Sequence, residues 1–170
     1  MSNDTSAAGK SSPGNLPPEG LSGILHAKPI VTETTPDSSA AFGCMEGGRD
    51  QAAAVAFRLR NGNVTWFSYG WLGTWQFNPS EGLLLKFSGD LVYLVLVRGT
   101  NLDRPLKQGA VSLTQGLQDH RVLWLREMSK EETATKQEAG PIIDRIEVAQ
   151  FESQDAIKEW LAKNAPAFKQ

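Results

Sequence analysis

The chain has 170 residues, a formal net charge of −2 and a pI of about 5.7. That length holds one domain with tails, and that charge excludes a global field drawing the chain to nucleic acid or membrane. A single cysteine, Cys44, excludes an intrachain disulfide and a Cys-based zinc site, and no window approaches the ~18–20 consecutive apolar residues of a spanning helix.

Residues 1–50 read as a disordered arm and linker. They are rich in Ser, Gly, Pro, Thr and Asp, and cannot bury enough apolar surface to offset backbone ordering. Within them, the island Leu21–Val31 has the apolar side chains to add a short strand. The N-terminus lacks the charged-then-apolar order of a secretory signal. With the lone cysteine, this points to a cytoplasmic protein. Gly43 to Asp50 (GCMEGGRD) lacks the G-x-x-x-x-G-K-[ST] spacing of a phosphate loop and reads as linker.

A single β-rich domain is expected over 51–164, with 165–170 as a tail. The stretch Val55 to Val97 organises it. This stretch holds Trp66, Trp71, Trp75 and both tyrosines, alternates apolar with polar residues, and is cut by turn signals at Asn61-Gly62, Asn78 to Gly82 and Ser88 to Asp90. Val55, Phe57 and Leu59 share one face of a first strand, and Arg58 and Arg60 the other. Asn61-Gly62 suits a type I′ hairpin. Asn63 to Tyr69 returns as a second strand, and Gly70 marks a bend. Trp71 to Phe77, Gly82 to Phe87 and Leu91 to Val97 follow as strands. The last is almost continuously apolar (LVYLVLV), as expected of a strand covered on both faces, so a helix should lie over its second face.

Two helices are candidates. Leu102, Leu106, Ala110, Leu113 and Leu117 form one helical stripe, capped by Asn101 or Asp103, with Pro105 in the first turn. A second helix should run from Gln154 to about Asn164, capped by Ser153 and stopped by Pro166. Between them, Arg121 to Arg126 reads as a strand, Met128 to Gly140 as an acidic mobile loop, and Ile142 to Val148 as a strand at a sheet edge. The fold class is therefore α+β: an antiparallel meander or partly closed barrel of about seven strands with one or two packed helices. In element order this is similar to the pleckstrin-homology architecture, with an extra helix before the sixth strand.

For chemistry, the chain offers only His26 and His120. No G-x-S-x-G, H-E-x-x-H or paired-Cys pattern occurs, nor the spacing of a calcium loop. His120 follows the first helix, where an imidazolium gains from the negative end of the dipole. Neither a catalytic set, a metal site nor a cofactor is expected. The functional hint is the clustering of Trp66, Phe67, Tyr69, Trp71 and Trp75 with Arg58 and Arg60. Val55 to Arg126 carries eight Lys and Arg against four Asp and Glu, a balance of +4. Aromatic rings on a sheet with basic neighbours hold single-stranded nucleic acid by stacking and phosphate pairing.

Gly62 to Phe67 (GNVTWF) resembles the opening strand of cold-shock domains. Thr65 stands where that strand carries Lys, and the K-G-F-G-F-type strand that should follow is missing, so no role is carried over. The expected function is a non-enzymatic binding module that meets another protein through a sheet edge. The alternative is single-stranded nucleic-acid binding through Arg58, Arg60, Trp66 and Tyr69.

Overall fold

A computed structural model describes residues 40–45, 50–106, 109–135 and 140–169. The expectations for Met1 to Ser39, including the island Leu21–Val31, lie outside the described residues. The fold is α+β, as the sequence predicts, but among the described residues the strands divide into two sheets of four, and neither sheet closes into a barrel.

The first sheet has strands β1 (Phe42–Cys44), β2 (Ala54–Arg58), β3 (Val64–Ser68) and β7 (Val122–Arg126), in the order β1-β7-β2-β3. The second has β4 (Leu72–Asn78), β5 (Gly82–Ser88), β6 (Val92–Thr100) and β8 (Ile142–Phe151), in the order β4-β5-β6-β8. The chain leaves the first sheet at the bend expected of Gly70. Tyr69–Trp71 make one 3-10 turn, and the Ser68 hydroxyl accepts from the Gly70 amide at 3.1 Å. It returns through β7, which pairs with β2 in parallel. A parallel partner needs a long crossover, and here the crossover holds most of the second sheet.

The inner faces of the two sheets share one core. Val55, Phe57, Phe67, Val122 and Leu125 of the first meet Leu83, Leu85, Phe87, Val95 and Val97 of the second. Four rings stitch them together: Phe67 stacks on Phe87 at 4.4 Å between centroids, and Phe57 and Tyr93 pack on this pair. Such contacts contribute about 0.5–1.5 kcal/mol each beyond area burial.

The second face of β6 is covered as its apolar run requires. Leu84, Leu94, Leu96 and Phe151 pack under α3 (Gln154–Asn164), against Ile157, Trp160 and Leu161. Ser153 caps this helix, its hydroxyl accepting from the Ala156 amide at 3.3 Å. The expected tail continues the same packing: Pro166–Phe168 form a 3-10 turn and bury Phe168.

Four local expectations are corrected. The Gly-rich lead-in is not all linker, because Phe42–Cys44 pair with β7 and Phe42 is fully buried. The Asn61-Gly62 turn is not type I′, since only Gly62 has positive φ (89°). Leu59 O accepts from Gly62 N, and Leu59 N donates to Asn63 O, the bonding of a three-residue loop with Gly in the left-handed position. The first helix, α1, spans only Leu113–Gln118, under a Ser112 cap. Asn101 (φ 56°) and Gly109 (φ 79°) are left-handed and Pro105 bridges Ser112, so Leu102 reaches the core from a loop.

The fourth correction is α2 (Lys130–Thr135), within the expected mobile loop. Ser129 and Glu132 form a reciprocal cap. The Glu132 amide donates to the Ser129 hydroxyl (3.2 Å), and the Ser129 amide donates to the Glu132 carboxylate (2.8 Å).

Candidate functional site

The first sheet has no layer equivalent to α3 among the described residues. Its outer face carries a row set by strand register: Gly43, Trp124, Ala56 and Trp66 lie side by side on β1, β7, β2 and β3. Trp124 is buried although it faces outward, because its indole lies on Gly43 and packs with Ala40, Ala56 and Leu106; a Cβ at Gly43 would stand 2.5 Å from the ring nitrogen. The Arg58 guanidinium sits over the same indole, 4.9 Å from the ring centroid. Trp66, at the end of the row, is 63% exposed, and Val64 beside it is 45% exposed. Arg58 lies opposite Val64 and so diagonal to Trp66 on this face.

β3 is also an open edge. Tyr69 N donates to Ala53 O and Leu59 N to Asn63 O. In an antiparallel ladder, directly paired residues alternate between exchanging bonds and pointing away. Phe67 and Thr65 therefore bond to β2, while Val64, Trp66 and Ser68 turn their amides and carbonyls outward.

The other three edges are guarded. β1 is only three residues long. β4 has a register shift between Leu72 and Trp75 and touches the Pro166–Phe168 turn. β8 carries Asp144, Arg145 and Glu147, and neighbouring groups already bond its outward backbone. Ile143 O accepts from Met128 N, Asp144 O from Arg60, and Ile146 N donates to Glu127, each at 2.7–2.8 Å. β3 has a regular register and no Pro or charge, and the whole segment Asn61 to Trp71 is uncharged. Short length, bulges, charge and cover are the usual guards against edge pairing, and β3 has none of them among the described residues.

The sequence-predicted site residues divide. Arg58 and Trp66 share the outer face. Arg60 serves as a tie: its side chain donates to Met128 O and Asp144 O at 2.8 Å, and its amide to Glu127 at 2.7 Å, joining the first hairpin to β8. It also lines a cleft of about 390 Å³ with Lys130, Thr133, Ala134, Asp144 and Arg145.

Tyr69 is in the core. Its hydroxyl donates to Val122 O at 2.9 Å, and its ring stacks on His120 at 4.6 Å. Burial, and then the neighbouring Cys44 thiol, push its pKa far up. Burial also raises the Cys44 thiol to about 11, against the lowering effect of Arg121, so this thiol stays protonated at neutral pH. His120 has its ring against Tyr69, and no carboxylate among the described residues hydrogen-bonds its imidazole. Nor, among the described residues, do three or more His, Cys, Asp or Glu groups gather as metal ligands, and no helix is long and apolar enough to cross a membrane.

Sequence reasoning missed Glu127, which bonds to the Arg60 and Ile146 amides at once. It also missed the Arg98 node, where the guanidinium donates to Asn164 O at the end of α3 and lies 3.8 Å from both Glu81 and Glu147. Neither has a local signal, since each partner is distant in sequence. Compared with protein-family models, curated proteins and solved structures, the chain finds no match.

Proposed function

We propose that this chain is a non-enzymatic binding module that receives an extended segment of a partner protein at the edge of β3. The observation that supports this is the unguarded run Val64 to Ser68, with alternate backbone groups directed outward. An added strand would gain main-chain hydrogen bonds there, while alternate side chains would lie beside Val64 and Trp66 on the outer face. Arg58 on the same face favours a segment with an acidic residue at its lip.

A peptide-display selection on the full chain tests this reading. Extended peptides should be enriched on the wild type and lost on a Trp66→Lys variant that keeps its melting temperature. Enrichment that survives the variant would move the site elsewhere, and no enrichment at all would remove the reading.

A second reading is favoured by the exposed indole of Trp66 on the face that also carries Arg58: a base stacked on one and a phosphate paired with the other. It asks less of the surface than the full set of four residues, since Tyr69 is buried and Arg60 is bonded elsewhere. Tryptophan quenching by a short single-stranded oligonucleotide, fading with salt, would support it; a flat titration at low salt would remove it.

A further inference from the structure

We infer that the segment taken by β3 is β3 of a second copy of this chain, paired antiparallel about a twofold axis through Trp66. The inference rests on the reading of β3 as a binding edge and names its occupant. Outward backbone groups must meet outward groups, which limits the register to pairings of Val64, Trp66 and Ser68 among themselves. The register that overlaps the whole strand places Trp66 opposite Trp66, and Val64 of each copy opposite Ser68 of the other. About six main-chain hydrogen bonds would then join the two copies.

Charge permits this self-pairing. Asn61 to Trp71 contains no Lys, Arg, Asp or Glu, so a twofold axis brings no like charges together, whereas any charged edge meeting itself would do so at or near the axis. The outer-face row of Trp124, Ala56 and Trp66 would continue across the axis into its own copy. An isologous pair is closed: it uses both open edges at once and leaves no template for further chains. An uncharged open edge is thereby compatible with a protein that does not polymerise.

Sedimentation equilibrium of the full chain over a range of concentrations tests the inference. The mass should rise from 18.5 kDa toward about twice that value. Trp66→Lys and Trp66→Glu place like charges on the axis, so each alone should remain monomeric. Mixed in equal amounts, they should pair, since Lys then faces Glu. Melting curves establish that both variants fold. A wild type that stays monomeric throughout, or a Trp66→Lys variant that pairs with itself, would overturn the inference; so would a wild-type dimer whose two variants fail to pair when mixed, because the axis is then elsewhere. If self-pairing fails while peptide selection still depends on Trp66, the binding edge stands with another occupant. If both fail, the edge reading falls with it.

Discussion

The two sheets are built from similar strands but finished differently. The second is sandwiched between the shared core and α3, so β6 is apolar on both faces, and its edges are bulged, charged or bonded to neighbouring groups. Among the described residues the outer face of the first has only a small cluster of Ala40, Ala56, Trp124 and Leu106 over it, and β3 ends it without a guard. Covering both faces maximises burial, whereas one open face and edge leave backbone and aromatic surface available to a ligand. The binding reading therefore belongs to the more open sheet.

The largest expected effect sharpens that division. Leu96→Ala removes a fully buried side chain between β6 and α3, and should cost about 2–5 kcal/mol in denaturant unfolding. Glu127→Ala tests the ties between the sheets. It leaves the Arg60 and Ile146 amides without their acceptor, and should cost about 1–3 kcal/mol. Gly43→Ala probes the open face. The new methyl group meets the Trp124 indole, and a loss of about 1–3 kcal/mol is expected, smaller in a Trp124→Leu background if the clash is the cause.

The α2 cap gives a pH signature. The Arg126 hydrogen bond, followed by the Ser129 amide, lowers the Glu132 carboxyl to about 2. A folded pKa below the unfolded one contributes stability above the ordinary carboxylate range, and that stability is lost as pH falls toward 2. Glu132→Gln should flatten this part of the acid-unfolding curve, and Ser129→Ala should cost about 0.5–2 kcal/mol. The smallest effect on stability belongs to Trp66→Lys, within about ±0.5 kcal/mol when compared at dilutions where the wild type is monomeric, because the residue is exposed in the single chain. A large loss at those dilutions would make Trp66 a core residue.

Local pattern accounts for much of what the sequence shows. Alternation and turn residues place β2 to β6. The apolar run of β6 implies its cover, and Ser153 and Pro166 bracket α3. The same alternation separates the aromatic cluster: Trp66 points outward while Phe67 and Tyr69, one and three residues on, point to the core. The Ser129-Lys-Glu-Glu132 cap is also legible, though the acidic composition around it suggests a loop. Leu102 shows why a helical stripe misleads, because Asn101 and Gly109 in left-handed conformations deliver its side chain to the core without a helix. The parallel pairing of β2 with β7 and the ties of Arg60 and Glu127 depend on contacts across most of the domain, which no local pattern encodes. The open edge itself emerges only when all four edges are compared.

Residue-resolved amide exchange on the full chain, followed with dilution, reads the state of the β3 edge residue by residue. At low concentration, Val64, Trp66 and Ser68 should exchange quickly while Thr65 and Phe67, bonded to β2, stay protected; raising the concentration should protect Trp66 as copies pair. If Val64 and Trp66 are as protected as Phe67 at every dilution, the edge is already filled and the account is contradicted.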